Sequence, residues 1–350
     1  MITINDIAKE AKVSAGTVDR VIHERGGVSK KTAAKIKSII AKHDFQINAI
    51  ASSLALNKRV QIAVLIPDYD AGNTFWKSPM LGILKAKEEV KKIGASVSYF
   101  SFNQFDEASY VRQFKEVIAS KPDALLLAPL FGSATKGLAK ELDDKEIPYV
   151  FLNINLEGCN NISFIGQDAY MSGFLAGKLM QLSIKEKSAI AIMQTRANLD
   201  NNHAIYKRIK GFEDYFSSNK LSVPLLNINL VDLENTEVLA EKLKTMFVEN
   251  PYIKGVYVPN SRVFRFVKAI NNTKINDLVL LGFDGTEENV KCLENEKVAF
   301  LISQQPFKEA YEAIKLMVDF LVDKKELDER IYSPIEILTK ENVQFSKHSK

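Results

Sequence analysis

The residues best suited to chemistry fall into two groups. The first lies in the opening 60 residues. Gly16, Arg20 and His23 recur at i, i+4 and i+7, so they project from one side of a helix, opposite Val18, Val21 and Ile22. An arginine on such a face can give paired hydrogen bonds to the edge of guanine. Ser14, Thr17 and His23 are donors suited to phosphate oxygens, which orient a helix without reading bases. The second group follows apolar runs. Asp68, Asn153, Asn260 and Asp284 each stand just past a run that reads as a strand, and ligands of open α/β sheets bind outside the carboxyl ends of strands.

Catalytic patterns are missing from both groups. There is no Walker, GxGxxG, His-x-x-x-His or cysteine–histidine signature. His203, close to Asp200, reads as part of a loop at a helix start. Cys159 and Cys292 are far apart and match no metal or redox spacing. No catalytic residue, metal or cofactor is therefore expected.

The elements that must position these residues change character near residue 60. Before it, the chain reads as short helices. Thr3 and Asp6 form a capping box, and Ile4, Ile7, Ala8 and Ala11 then share one face. Ser14 is a candidate N-cap for the helix that carries Arg20, which Gly26 and Gly27 end. Ser29 caps a third helix with Ala33, Ile36 and Ile40 on one side. Two short helices separated by Lys12 and Val13, braced by a third, have the layout of a helix-turn-helix. Asn48 opens one more helical stretch, 49–56, too short to be stable without a partner.

Beyond residue 60, apolar strand-like runs at 62–67, 96–100, 124–127, 149–152, 189–193, 256–258, 279–282 and 300–303 alternate with amphipathic stretches near 80–92, 107–119, 134–143, 169–182, 204–217, 236–248 and 307–323. That alternation implies βαβ units and parallel sheets buried on both faces. The length suffices for two such sheets.

Charge follows the same division. Residues 1–60 carry 11 Lys/Arg against 5 Asp/Glu, whereas the remainder carries 36 against 38. A basic module on a near-neutral body implies a polyanion partner for the first part only. No apolar run is long enough to span a membrane, and residues 1–13 lack the shape of a signal peptide. A cytoplasmic protein is expected.

Residues 3–57 resemble the DNA-binding headpiece of the lactose-repressor (LacI/GalR) family. The resemblance rests on TINDIAKEAKVS at 3–14, on TV and RVI flanking Asp19, on VS at 28–29 and on NAIASSLALN at 48–57. It continues through IAVLIPD at 62–68, NTFW at 73–76, DALLLAP at 123–129, RIKGF at 208–212, LLGFDG at 280–285 and QQP at 304–306.

The resemblance implies an all-α helix-turn-helix headpiece with a hinge helix. An α/β periplasmic-binding-protein-like body of two parallel-sheet subdomains would follow. The expected ranges are 1–46 for the headpiece, 47–60 for hinge and linker, and 61–340 for the body. Within the body, 61–165 with 304–325 would form one subdomain and 166–303 with 326–340 the other, leaving 341–350 as a tail.

It also implies a homodimeric transcription regulator, in most cases a repressor, of a pseudo-palindromic operator, controlled allosterically by a small effector. Ala15, Gly16 and Arg20 match the family's base-reading positions, and Leu54 matches a leucine that wedges into the minor groove. Thr3, Ser14, Thr17, His23, Asn48 and Ala51 complete the expected DNA contacts. Ser52 replaces an arginine common in the family, which removes one cationic contact.

A sugar pocket needs planar hydrogen-bonding groups and an aromatic face. Phe75 and Trp76, the only tryptophan, match the family's aromatic pair. Arg208 matches the pocket arginine and Asp284 the pocket acid. Asn73, Asn153, Asn260 and Gln305 complete the effector set, with Asp168 as a further candidate. Ser261 stands where the family often has an acid. Each role has a structural alternative: Trp76 as core, Arg208 as an ion-pair residue, Asp284 as a helix cap. A sugar or sugar derivative is the expected effector. A nucleobase effector and a carbohydrate-binding enzyme are the alternatives.

Overall fold

The computed structural model describes residues 4–22, 26–43, 60–70, 74–185, 187–195, 203–230, 235–270 and 272–346. Thr3, His23, the 49–56 stretch with Asn48, Ala51 and Leu54, and also Asn73 lie outside the described residues. The chain divides into two compact units, 1–58 and 59–350.

In the first unit, α1 (Ile4–Ala11), α2 (Ala15–Ile22) and α3 (Lys30–Lys42) enclose Ile7, Ala8, Ala11, Val18, Val21, Ile36 and Ile39. The turn from α1 to α2 is a Schellman closure. Lys12 takes the left-handed conformation at φ 60°, Lys12 N–H donates to Lys9 O, and Val13 N–H donates to Ala8 O at 2.9 Å. Ser14 then caps α2 by accepting from Thr17 N–H at 3.2 Å, and Ser29 does the same for α3 through Thr32 N–H. On α3 the buried pair is Ile36 and Ile39, and Ile40, the expected core position, is half-buried. Glu10 ties α1 to the end of α3 through Lys42 and His43, both at 2.9 Å. The Lys42 hydrogen bond, followed by that of His43, holds the Glu10 carboxyl below its ordinary range.

The second unit contains two six-stranded sheets. The first comprises β1 (Val60–Pro67), β2 (Ala95–Phe102), β3 (Ala124–Leu127), β4 (Tyr149–Leu152), β5 (Ser163–Gln167) and β11 (Arg330–Ser333), in the order β11-β5-β4-β3-β1-β2. Every pairing in it is parallel. The second comprises β6 (Ala189–Gln194), β7 (Leu225–Asn229), β8 (Ile253–Tyr257), β9 (Val279–Phe283), β10 (Phe300–Ser303) and β12 (Glu336–Leu338), in the order β12-β10-β9-β8-β6-β7. It is parallel except for antiparallel β12.

The central strands are apolar on both faces because helices cover both sides. In β6, Ala189, Ala191 and Met193 face the cluster that includes Leu239, Leu243 and Phe266. Ile190 and Ile192 face the one that includes Ile209 and Phe212. The sheet strands leave polar residues at their carboxyl ends.

The chain crosses between the sheets three times, at Gln167–Asp168, at 304–305 and at 334–335. One side chain ties these crossings together: Gln167 Nε2 donates to Ser303 O at 3.1 Å and to Pro334 O at 3.3 Å. The expected subdomain ranges differ here. Gly166 and Gln167 belong to the first sheet, as do Arg330–Ser333, which were expected in the second subdomain. The physical reason is edge pairing. None of Arg330–Ser333 is buried, but its backbone completes the ladder beside β5, with Arg330 opposite Phe164.

Candidate functional site

The first unit presents a polar face. Arg20, Ser14 and Gly16 are exposed, and Ala15 and Thr17 are half-buried, while Val18 and Val21 on the same helix are buried. The apolar side of α2 therefore anchors it and leaves the arginine side to solvent. Ser14 Oγ lies 2.9 Å from Thr17 Oγ1, so these two hydroxyls sit together at the amino end of α2. That end carries the helix's free N–H groups and the positive end of its dipole, which favours phosphate.

The second unit contains a cleft at the carboxyl ends of strands from both sheets. A cavity of about 80 Å³ is lined by Phe75, Trp76, Gln104, Leu130, Asn153, Ile154, Ala204, Ile205, Arg208, Asn260, Ser261, Arg262, Asp284 and Gln304. Six of the expected effector residues thus meet: Phe75, Trp76, Asn153, Arg208, Asn260 and Asp284. Gln305 is not in the lining. It occupies the N-cap of the Pro306–Asp323 helix, and the neighbouring Gln304 faces the cavity instead. Asp168 caps the Ala169–Ser183 helix through Met171 N–H at 2.9 Å and lines a second cavity.

A polar relay forms one wall. Asn153 Nδ2 donates to Gln304 Oε1 at 2.7 Å, and Gln304 Nε2 donates to Asp284 Oδ1 at 2.7 Å. Asn153 follows β4 of the first sheet and Asp284 follows β9 of the second, so this relay joins the two. Both end residues adopt left-handed backbone, φ 69° and 65°. Non-glycine residues in that region carry strain and cluster at binding sites. Asn153 N–H bonds Ile165 O and Asp284 N–H bonds Ile302 O, which fixes each turn against the next strand.

Arg208 comes from the second turn of the His203–Ser218 helix and is 6% exposed. Its Nη1 donates to Pro259 O at 3.1 Å, and its guanidinium lies over the Phe283 ring at 4.0 Å. Its Nε has no hydrogen-bond partner among the described residues. Burial draws the guanidinium below its ordinary range, opposed by the charge of Asp284. A buried donor without a partner costs free energy, which an acceptor brought into the cavity would recover. Phe75 and Trp76 meet edge to face at 5.1 Å, and Trp76, 4% exposed, belongs to the first sheet's core while one edge reaches the cavity. Trp76 thus belongs to the core and also lines the cavity.

Asn289 holds the loops of the second sheet. It is fully buried, donates Nδ2 to Ser261 O, Phe283 O and Asp284 O at 2.9–3.0 Å, and accepts from Phe264 N–H at 3.1 Å. Sequence reasoning missed it, together with Gln104, Arg262 and Gln304. An asparagine inside the Glu287–Glu294 helix, at the position facing the core, was the available signal.

Glu309 lies in the first turn of the Pro306–Asp323 helix and is 2% exposed. Burial first, with the charge of Asp284, pushes its carboxyl up to about 7, against the opposing pull of Ser333, Gln305 and Arg208. The folded protein thus binds this proton more tightly than the unfolded chain, whose glutamate titrates near 4.5. The resulting stabilisation is complete below the unfolded value and is lost as pH rises through about 7. Stability should fall with pH across this window by up to about 1.4 kcal/mol per unit from this group. Thermal unfolding of Glu309→Gln against the parent between pH 5 and 8 should show that slope removed; parallel curves would disprove it.

Residues 3–48 match the model for bacterial regulatory proteins of the lacI family, and residues 62–325 match that of a periplasmic binding protein domain. The chain belongs to the LacI family. It is a DNA-binding transcription regulator whose body is a periplasmic-binding-protein-like domain. Catabolite control protein A of Staphylococcus aureus (strain Mu50 / ATCC 700699) is 26% identical over 85% of this chain and 94% of that protein. The sucrose operon repressor of Pediococcus pentosaceus is 24% identical over 81% and 82% respectively. A Bacteroides fragilis protein assigned as a LacI transcriptional regulator superposes with a TM-score of 0.76 at 28% identity, covering 83% of this chain and all of that one. No helix among the described residues is long and apolar enough to cross a membrane.

Proposed function

We propose that this LacI-family protein is a cytoplasmic repressor that binds a pseudo-palindromic operator as a homodimer and releases or grips it according to a sugar-like effector in the cleft. Its role is binding rather than turnover. The observation that carries the reading is the Asn153–Gln304–Asp284 relay, which ends on strands of different sheets beside a buried, incompletely partnered Arg208. A polyol that takes over part of this relay changes the relation of the two sheets, and such a differential contact is what a ligand needs to shift a conformational equilibrium. The sucrose repressor supports the sugar class. Phe75, Trp76, Asn73, Asn153, Arg208, Asn260 and Asp284 are the proposed effector contacts.

Operator reading falls to Arg20 with Ala15 and Gly16. Ser14 and Thr17, with Thr3 and His23, position the helix on phosphates. Asn48, Ala51 and Leu54 act at the operator centre, with Leu54 as the wedge. The body occupies 61–340, with the linker at 47–60.

Thermal-shift screening against sugars, sugar acids and nucleobases, followed by operator titration with the hit, tests the effector reading. Stabilisation by a purine and by no carbohydrate would overturn it. For the DNA reading, Arg20→Ala should relax preference at one base pair per half-site by about 1–3 kcal/mol. A uniform loss of affinity for all sequences would instead mark Arg20 as a phosphate contact.

A further inference from the structure

The cleft extends beyond its first cavity. That cavity, at about 80 Å³, is well short of the roughly 300–1,000 Å³ of small-molecule pockets. A second cavity of about 380 Å³ adjoins it. Asn153, Ile154 and Ala204 line both, so the two meet along one seam. The side chain of Ala204 is a single methyl group, which obstructs that seam little.

The second cavity is also built from both sheets. Phe164 of β5 and Arg330 and Tyr332 of β11 come from the first. Tyr170 of the Ala169–Ser183 helix and Tyr206, Lys207 and Lys210 of the His203–Ser218 helix come from the side of the second, whose core those helices cover. These side chains hold one another in place. Phe164 meets the Tyr332 ring edge to face at 6.0 Å. Asp214 accepts from Tyr170 Oη at 3.2 Å and from Lys210 Nζ at 2.6 Å, which steadies one lining side chain on each helix. Lys207 Nζ donates to Glu157 at 3.3 Å, and Glu157 lies in the connection from β4 to β5, so this pair reaches between the two halves of the body.

A donor beside an acceptor is the complement of a hydroxyl, which both donates and accepts. The aromatic rings supply the other requirement of a sugar. Tyr206 and Tyr332 line the cavity yet are 47% and 49% exposed. Rings at the rim of a polar cavity suit the C–H face of a sugar, as Phe75 and Trp76 do in the first cavity. An apolar ligand of the same length would cover Lys207, Lys210 and Arg330 and offer them no acceptor. Two aromatic-lined cavities joined at a seam fit two polar rings joined by one bond. We infer that the effector is a disaccharide, with one ring against Phe75, Trp76 and Arg208, the other in the second cavity with Tyr206 and Tyr332, and the glycosidic bond passing Ala204. This inference rests on the sugar reading of the cleft and narrows it. Because Tyr206 and Tyr332 belong to opposite halves of the body, the second ring also responds to the relation of the two sheets.

The test is calorimetric titration of the full chain with disaccharides and with the monosaccharides that compose them: maltose, cellobiose, lactose and sucrose against glucose, galactose and fructose. At least one disaccharide should bind about tenfold or more tighter than either of its components. Tyr206→Ala and Tyr332→Ala, both at exposed positions, should each remove most of that ratio, and Tyr332→Phe, which keeps the ring, should retain it. Lys140→Gln, an exposed change on the Gly132–Asp144 helix, should leave it unaltered. A ratio unchanged in both alanine variants would overturn the placement of the second ring, and the inference with it. Monosaccharides binding as tightly as every disaccharide, or more tightly, would overturn this inference and leave the sugar reading standing. Failure of every carbohydrate, with or without binding of a nucleobase, would overturn the sugar reading itself, and this inference with it.

Discussion

Arg208→Ala should lower effector affinity by roughly 30- to 5,000-fold while operator binding by the effector-free protein stays within about twofold of the parent. The magnitude follows from removing a buried, hydrogen-bonded charge from a binding site, which costs about 2–5 kcal/mol. The loss includes more than one contact. Arg208 Nη1 anchors the Pro259 carbonyl, its guanidinium covers Phe283, and Asp284 loses a buried positive charge with which it interacts. Arg208→Lys should rescue little, because an ammonium cannot bond the Pro259 carbonyl and a ligand in one plane. Operator binding is spared because α2 and its core lie in the other unit. Two titrations decide the matter: effector by calorimetry, and labelled operator by fluorescence anisotropy with and without effector. Unchanged effector affinity would remove Arg208 from the site.

The headpiece was legible because its determinants are local. Ser14 and Ser29 cap the residues three positions on, and Ile7, Ala11, Val18 and Ile36 report their burial through spacing alone. The central strands of the body were legible for a related reason, since burial on both faces demands continuous apolar runs such as those of β1 and β3. The edge strands β7, β11 and β12 and the crossing strand β5 escaped, whereas the edge strand β2 did not. In β7, Leu225–Asn229 alternates with asparagine, and β5, β11 and β12 contain Gly166, Gln167, Arg330 and Glu336, whose backbones pair although their side chains do not advertise it.

Within the cleft, the strand-end rule found Asn153, Asn260 and Asp284. It could not find Gln304, because what selects Gln304 over Gln305 is the register in which Pro306 starts the last long helix. Asn153 and Gln304 stand 151 positions apart, so their bond is a property of the fold. Arg262 escaped for the same reason: its cavity-facing role depends on Asn289, which gathers Ser261, Phe283 and Asp284 into one corner.

The placement of Arg208 itself depends on glycine, and Gly173→Ala should be the more damaging change for the whole body. The Ala169–Ser183 and His203–Ser218 helices cross so closely that a Cβ on Gly173 would run into the carbonyl oxygen of Arg208, with Arg208 C and Cα at 2.7 Å. On the facing helix, a Cβ on Gly211 would meet Tyr170 O, with Phe174 N at 2.9 Å, and one on Gly177 would meet the Tyr215 side chain at 2.7 Å. Side chains can rotate away from such an intrusion, but main-chain atoms of a helix cannot. The change should therefore reach or exceed the upper end of the ~1–3 kcal/mol typical of overpacking. That corresponds to a fall in Tm of roughly 6–12 °C at 3 kcal/mol for a body of this size. Because the atoms displaced are those of Arg208, effector affinity should fall as well. Gly211→Ala should behave alike, and the double variant should lose less than the sum, since both open one interface. Gly137→Ala supplies the contrast. It is exposed in mid-helix with nothing within 4 Å of its Cβ position, so alanine there should stabilise by about 0.4–1 kcal/mol. Denaturant unfolding of the three single variants separates these expectations, and a Gly173→Ala protein as stable as the parent would mean that the two helices can part without moving the arginine.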